Sequence, residues 1–234
     1  MKFIIENKVF ETLNTMCVAV IIAKGINNTN KINDISLMLK ESISNAENEF
    51  ENIKVKESEY IKPYRDAFQK LNINPNKFMC SIEALLTRIS KKKGMPEINS
   101  IVDLVNAVSI KYKLPMGAHD LDSMNNNDFY IRYSSNNDTF LPFGETNTEN
   151  VDENELVYAV SNDVRTRRWI WRQSEYGKIT EKSSNIIFPI DAFIGINDDK
   201  AIKARDELAE LLVKFFNCDI KTGMIDSKNN YIEF

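Results

Sequence analysis

The longest apolar stretch in the first part of the chain is the β-branched run Met16–Ala23, which ends at Gly25 and an asparagine-rich turn. An apolar run of this length that is bounded by turn residues predicts a strand buried on both faces. Shorter apolar groups precede it at Phe3–Ile5 and Val9–Phe10. We expect these two groups to be strands as well.

Five later segments repeat apolar residues every three or four positions, which is typical of amphipathic helices. In the first of them Ile35, Leu39 and Ile43 share one face, and Asn33 or Asp34 is available as the N-cap. The predicted segments are Asn33–Phe50, Ser58–Leu71, a helix from Ser81 that Lys91–Gly94 closes, Asn99–Tyr112, and Asp199–Phe216.

Beyond Pro115 the pattern changes to short apolar or alternating runs between Asn, Asp, Gly and Ser clusters, which predicts strands and turns. The clearest runs are Asp128–Tyr133, Thr139–Leu141, Glu155–Val160 and Asn185–Phe188. Helices grouped first and strands later favour an α+β fold, with helices packed around a mostly antiparallel sheet. We expect residues 1–234 to form a single compact domain.

Composition narrows the classes of protein. The 234 residues are 43% hydrophobic, which suffices for a sizeable core. No apolar run approaches the roughly 20 residues of a membrane span, and the start lacks a signal peptide, so we expect a cytoplasmic protein without membrane association. Cys17, Cys80 and Cys218 lie far apart in apolar surroundings, which predicts reduced core thiols. His119 is the only histidine, so we expect no metal site, and no cofactor motif is present.

The net charge of -4 provides no overall attraction for phosphate, so RNA would have to meet a local basic patch. Two clusters offer such a patch, although charge runs of this size are more often plain solvated surface. The first contains Arg88, Lys91, Lys92 and Lys93, and the second contains Arg165, Arg167, Arg168 and Arg172.

Candidate chemistry concentrates in two intervals. In Leu114–Asp122 a Pro and a Gly follow a helix, and His119 stands beside two carboxylates. His119 is a candidate general base, but a structural histidine with Asp120 and Asp122 as turn caps is the competing interpretation. Arg165–Ser174 interleaves arginines with both tryptophans, which suits phosphates and stacked bases, or equally a strand with one buried face.

The segment from Ser81 to Asp122 carries a recognisable series of motifs. It consists of Ser81-x-x-x-Leu85-Leu86-x-Arg88, Gly94-x-Pro96-x-Ile98-Asn99-x-Ile101-Val102-Asp103-x-Val105-Asn106, and Leu114-Pro115-Met116-Gly117-Ala118-His119-Asp120-Leu121-Asp122. This series resembles the editing module of the phenylalanyl-tRNA synthetase β chain, which is formed by its third and fourth domains. The resemblance covers roughly residues 62–193, and the N-terminal strands and helix of residues 1–57 lie outside it.

The resemblance implies an α+β fold with a cleft between its two halves. It also implies hydrolysis of the ester between a wrong amino acid and the terminal ribose of tRNA, here by a stand-alone relative that acts on an aminoacyl-tRNA acceptor end. Because that ester is already activated, such a site must position water, stabilise an oxyanion and exclude the correct amino acid. A non-catalytic module that holds a tRNA end or a small amino-acid ligand is the main alternative. An unrelated amidase or esterase that uses His119 is a third.

Matched by position, Asn106 corresponds to the family's pocket asparagine and would orient the substrate carbonyl, while His119 or Asp120 would hold the water. The family's pocket histidine falls on Gly117, and its amino-acid-recognising glutamate falls on or near Pro189. The expected substrate-binding residues are Val105, Pro115, Gly117, Asp122, Arg132, Trp171 and Gln173. The expected RNA contacts are Arg88, Lys91, Lys92, Arg165, Arg168 and Arg172.

Overall fold

The computed structural model describes residues 1–234 and contains six α-helices and two β-sheets. The helices are α1 (Asn7–Thr12), α2 (Asn33–Glu49), α3 (Lys62–Lys70), α4 (Ser81–Ser90), α5 (Ser100–Tyr112) and α6 (Asp198–Phe216). None of the six combines the length and the apolar character that a membrane span requires.

Twelve strands form the two sheets. They are β1 (Lys2–Ile5), β2 (Met16–Lys24), β3 (His119–Asp120), β4 (Phe129–Tyr133), β5 (Thr139–Phe140), β6 (Glu149–Asn150), β7 (Leu156–Val160), β8 (Asp163–Arg167), β9 (Arg172–Gln173), β10 (Ile186–Phe193), β11 (Asp219–Ile225) and β12 (Tyr231–Glu233). The larger sheet has the order β12-β1-β4-β7-β8-β5-β6 with β9 paired to β8, and the smaller has the order β11-β2-β10-β3. All pairs are antiparallel except β1 with β4 and β5 with β8. The predicted α+β fold with a mostly antiparallel sheet is confirmed.

The smaller sheet lies between two apolar cores. From β2, Val18 and Val20 belong to the core that contains the larger sheet, whereas Ala19 and Ile21 pack with α5 and α6. Successive side chains of a strand point to opposite faces, so a strand with a core on each side must be apolar throughout. This explains the uninterrupted apolar run of β2. The smaller sheet therefore separates the core around α5 and α6 from the core that contains the larger sheet.

The predicted helices are present, with differences at their ends. Asn99 caps α5, since its side chain accepts a hydrogen bond from Val102 N at 3.0 Å. The N-cap of α2 is Ile32 and has no side-chain hydrogen bond, so the capping role predicted for Asn33 or Asp34 was wrong. The helix predicted from Ser58 begins only at Lys62, where a proline in the first turn is tolerated because its missing N–H has no helical partner there.

Two strand predictions also needed correction. Val9–Phe10 lies in the short helix α1, because a pair of adjacent apolar residues carries no periodicity that separates helix from strand. The strand predicted at Asn185–Phe188 continues to Phe193, since β10 pairs with β2 along its whole length. Cys17, Cys80 and Cys218 are buried and unpaired with one another, as predicted. The assignment of one domain to the whole chain stays a prediction.

Candidate functional site

A half-enclosed cavity of about 70 Å³ lies between the two sheets. A buried water needs roughly 10–15 Å³ of such space, so the cavity has room for a small functional group or several waters. Its lining residues are Ser81, Pro115, Met116, Gly117, His119, Tyr158, Thr166, Trp169, Ile170, Trp171, Gln173, Pro189 and Asp191. Five residues from the predicted site are among them.

The wall that carries His119 is an extended segment along β10. Gly117 N donates to Pro189 O at 2.9 Å, and Asp191 N donates to Pro115 O at 3.1 Å, so the chain before β3 continues its pairing. Alternate residues of an extended segment share a face, and Pro115, Gly117 and His119 therefore all line the cavity. The histidine reaches the cavity although it stands two residues beyond the position expected from the resemblance.

Gly117 leaves room for the imidazole. A Cβ atom at this position would lie 3.2 Å from His119 Nε2 and 3.3 Å from the Pro189 side chain. Such contacts are tighter than ordinary van der Waals packing, so a larger residue at position 117 would displace one of the two neighbours.

The same two-residue displacement occurs on the opposite wall. Pro189 and Asp191 share the cavity face of β10, so the carboxylate of Asp191 lies two residues beyond the position expected for the glutamate. Asp191 was not among the residues predicted for the site. The available signal was a single carboxylate within a strand that is otherwise apolar and buried along its whole length.

Asp191 is 2% exposed and accepts hydrogen bonds only from uncharged donors. The Tyr158 hydroxyl lies 2.8 Å from both carboxylate oxygens, and Trp169 Nε1 lies 2.6 Å from Oδ1. No lysine or arginine pairs with it. Burial raises the pKa of Asp191 to about 7, because desolvation of the charged form outweighs the hydrogen bonds from Tyr158 and Trp169, which lower it.

His119 has the opposite electrostatic character. Its ring is buried and stacks on Tyr158 with 5.8 Å between centroids, and its Nδ1 has no hydrogen-bond partner in the protein. Burial, and then the nearby charge of Arg165, lower the pKa of His119 to about 3. The imidazole is therefore neutral at pH 7 and can accept or donate one hydrogen bond in the cavity.

A tight turn, rather than a strand, carries the tryptophans. Arg168 and Trp169 have φ angles of 45° and 58°, a left-handed conformation that costs roughly 1–2 kcal/mol for each non-glycine residue. The turn sends Trp169 into the core and leaves Trp171 half-buried, so the two indoles do not share one face of a strand. Gln173 Nε2 then donates to Ala118 O at 2.8 Å and braces the His119 segment.

Asn106 and Val105 lie away from this cavity, contrary to the prediction. Both are on α5, and Val105 packs in the core on the outer face of the smaller sheet, whereas His119 and Asp191 lie on the inner face. Asn106 is half-buried there. The sheet itself therefore separates these two residues from the cavity.

Asp120 and Asp122 serve the turn that follows β3. Asp120 accepts hydrogen bonds from Ser183 Oγ at 2.5 Å and from Asp122 N at 2.9 Å, and Asp122 accepts one from Asn185 at 2.8 Å. Asp120 points away from His119 because neighbouring residues of a strand alternate. Neither carboxylate lines the cavity, and their hydrogen bonds fit the turn-cap interpretation.

Arg132 does not reach the cavity either. Its guanidinium holds the carboxylate of Asp138 with two hydrogen bonds of 2.6 and 2.9 Å, and Asp138 is completely buried. Arg132 is therefore engaged within the protein, and it is not among the residues that line the cavity.

The second basic cluster is largely internal. Arg165 is 2% exposed and donates to Ser123, which removes it from the predicted RNA contacts. Arg168 is partly buried, lies 4.0 Å over the ring of Phe78, and pairs with Glu155. The predicted contacts that remain exposed are Arg172, Arg88, Lys91 and Lys92.

Arg172 is exposed and stands in the sequence between Trp171 and Gln173, which both line the cavity. Lys91 follows the last residue of α4, whose first residue, Ser81, lines the cavity. At about 1.5 Å per residue, that helix puts Lys91 roughly 15 Å from Ser81.

A larger open groove of about 810 Å³ lies elsewhere on the surface, and none of the predicted site residues lines it. Its lysines include Lys111, which pairs with Glu207, and Lys113, which pairs with Glu49. We take the smaller cavity as the candidate site because the buried histidine and carboxylate converge there, although the groove is larger.

Fold and site together define an α+β module with a small cavity between its two sheets. The family model of the B3/4 domain matches residues 63–217, which is more than half of the chain. The chain therefore belongs to the B3/4 domain family. This domain is part of the phenylalanyl-tRNA synthetase β subunit, so the resemblance found in the sequence is confirmed.

Among solved structures, one similar chain is an N-terminal fragment of the phenylalanyl-tRNA synthetase β-subunit from Pyrococcus horikoshii. The two share 10% sequence identity with a TM-score of 0.48, over 93% of this chain and 49% of that one. The present chain thus spans about half the length of that structure. A comparison with curated proteins finds no match.

Proposed function

We propose that this protein binds the acceptor end of a tRNA and hydrolyses the ester of a mischarged amino acid in the cavity between the sheets. The observation that carries the proposal is the convergence of His119 and Asp191 on one cavity. Each stands two residues beyond the position that the resemblance gives for a pocket histidine or glutamate. Because a shift of two residues keeps the face of an extended strand, the pocket retains an imidazole and a carboxylate.

The chemistry required is modest because an aminoacyl ester is already activated. The neutral imidazole of His119 would hold the attacking water, and the hydroxyls of Ser81 and Thr166, which also line the cavity, would donate to the developing oxyanion. The enclosed walls limit the size of the amino-acid side chain that fits. Arg172, exposed next to Trp171, would take a phosphate of the acceptor strand.

One observation favours the alternative of a binding module that does not catalyse. A histidine whose pKa is about 3 is a weak base at neutral pH, and general bases work best with a pKa near the operating pH. A salt titration separates the two kinds of ligand, because contact with RNA phosphates predicts a steep loss of affinity with salt, whereas a small amino-acid ligand predicts almost none.

Deacylation of a panel of mischarged aminoacyl-tRNAs tests the proposal. We expect hydrolysis above the buffer rate for at least one of them. His119→Asn should lower that rate by about 100-fold or more if the imidazole acts as the base that holds the water. The matched control is Glu41→Gln, an exposed change on α2 that should leave the rate unchanged. Hydrolysis no faster than in buffer for every tRNA would reject the proposal.

A further inference from the structure

Resting on the proposed function, we propose that Asp191 anchors the α-ammonium group of the bound aminoacyl moiety, so that the cavity selects ligands with a free primary amine. Such a role defines the substrate class at this site, namely esters or amides of amino acids whose amino group is unmodified. It also explains why an acidic side chain interrupts β10 at the cavity.

The carboxylate of Asp191 has unused hydrogen-bonding capacity. Each carboxylate oxygen offers two acceptor positions. The Tyr158 hydroxyl has a single proton to share between the two oxygens, and Trp169 donates to Oδ1 alone. Oδ2 therefore retains an acceptor position, and Asp191 is among the residues that line the cavity.

The surroundings of the Asp191 carboxylate carry no compensating charge. The titratable groups near Asp191 on neighbouring elements are Tyr158 of β7, Tyr64 of α3 and His119 of β3, together with Cys17 of β2, which lies on the opposite face of the smaller sheet. All four are neutral at pH 7. Burial raises the pKa of Cys17 to about 12 and the pKa values of both tyrosines well above 10, while the pKa of His119 is lowered to about 3.

A buried carboxylate that meets only neutral groups is costly to ionise, and a cation brought by a ligand would offset that cost. The walls suit such a cation as well. Trp169, Trp171 and Tyr158 line the cavity, and aromatic faces attract ammonium groups. A volume of about 70 Å³ suits an ammonium group and the atoms nearest to it.

Binding of amino-acid amides measures this selectivity apart from any hydrolysis. The probes are glycinamide, L-alaninamide and L-phenylalaninamide, each compared with its N-acetyl derivative. Tryptophan fluorescence reports binding directly, because both tryptophans of the chain line the cavity. We expect at least one free amine to bind about 10- to 100-fold more tightly than its acetylated form, the range of a hydrogen-bonded charge.

Two variants test whether Asp191 is responsible. Asp191→Asn keeps the shape and an acceptor for Tyr158 and Trp169, and it should reduce the preference for the free amine to about onefold. Tyr158→Phe keeps the carboxylate and should retain the preference. Because the Tyr158 hydrogen bond lowers the pKa of Asp191, its loss should move the onset of amine binding to higher pH. Circular dichroism confirms that each variant is folded.

Three outcomes would overturn the inference: no amide binds, wild type binds free and acetylated amides alike, or Asp191→Asn keeps the preference. These results are distinct from failure of the proposed function. Deacylation without amine selectivity would support the proposed hydrolysis and contradict the proposed role of Asp191. Amine-selective binding without deacylation would support the anchor and identify the protein as a binding module.

Discussion

Two buried aspartates sit in contrasting environments. Asp138 is fully buried and receives both ends of the Arg132 guanidinium, together with the backbone N–H of Ser135 at 3.0 Å. Asp191 is almost as deeply buried but meets a hydroxyl, an indole N–H and the space of the cavity. Both carboxylates are shielded from water, but only Asp138 is paired with a cation.

The difference between the two aspartates indicates how a buried charge with a structural role can be told from one with a functional role. A charge compensated within the protein stabilises or orders its surroundings and has no need of a ligand. A charge held by neutral donors beside a cavity has acceptor capacity and an unmet preference for a cation, and perturbed groups in clefts are candidates for function. On this basis we propose that the Asp191 region is the site and that the Asp138 region is part of the scaffold.

The largest expected effect comes from breaking the compensated pair. Arg132→Ala would leave the carboxylate of Asp138 buried without its cation, which typically costs about 3–5 kcal/mol of the free energy of unfolding. Urea denaturation of the variant and of wild type measures the loss. The amide preference of the variant should equal that of wild type at temperatures where it is folded, because Arg132 does not line the cavity.

A loss below about 1 kcal/mol would contradict this assignment, because it would mean that water or a neighbouring group compensates Asp138 as well as arginine does. A variant that remains stable and loses amide binding would reverse the comparison, since it would assign Arg132 to the site.

The two aspartates also mark what sequence could predict. β2 and α5 were predictable because long apolar runs and helical periodicity reflect burial directly. A motif singled out Pro115, Gly117 and His119, but the extended conformation that puts all three on one face was not predicted. The partners of Arg132 and Asp138 were not predictable, since their pairing depends on the loop that joins β4 to β5.

The positions of Asn106 and Asp191 relative to the cavity could not be predicted from the sequence. Asn106 matched a motif, but its helix covers the outer face of the smaller sheet, and no local pattern reports which face a helix covers. Asp191 lay in an apolar strand and matched no motif, although the register of β10 brings it to the cavity. The left-handed turn at Arg168 and Trp169 could not be predicted either, because it contains no glycine.

A second prediction concerns pH and the uncompensated carboxylate. The pKa of Asp191 is raised from 3.8 to about 7 in the fold, so the folded state binds its proton more tightly than the unfolded state does. The stability from that proton is present below pH 3.8 and is lost as pH rises to about 7. Relative to wild type, Asp191→Asn should therefore gain stability with rising pH, by up to about 1.4 kcal/mol per unit.

Unfolding free energies of wild type and Asp191→Asn between pH 4.5 and pH 7.5 provide the measurement, in the absence of ligand. The difference between the two proteins isolates Asp191 from other titrating groups, including His119, whose effect has the opposite sign. Parallel curves would show that Asp191 ionises as readily in the fold as in the unfolded chain, and the contrast with Asp138 would then disappear.

The comparison extends to the cations. Arg132, Arg165 and Arg167 are turned inward, where Arg167 pairs with Glu155 at 2.9 Å and Arg165 donates to Ser123. Arg172 and Lys91 are exposed and form no salt bridge within the chain. Only cations of the second kind are free to meet phosphate, and their removal leaves no buried charge behind.

The smallest effect on stability is therefore expected from Arg172→Gln, within about 0.5 kcal/mol of wild type.

The effect of Arg172→Gln should appear in tRNA binding instead. The slope of log affinity against log salt should be reduced by about 1, which corresponds to one lost phosphate contact. Lys91→Gln, at the end of α4 and roughly 15 Å from Ser81 of the cavity, is the matched comparison for the direction in which the RNA leaves the cavity. If the slope is unchanged in Arg172→Gln and reduced in Lys91→Gln, the acceptor strand passes along α4 instead of beside Trp171. If neither variant changes the slope, neither exposed cation contacts phosphate, and a small amino-acid ligand becomes the better candidate for the cavity.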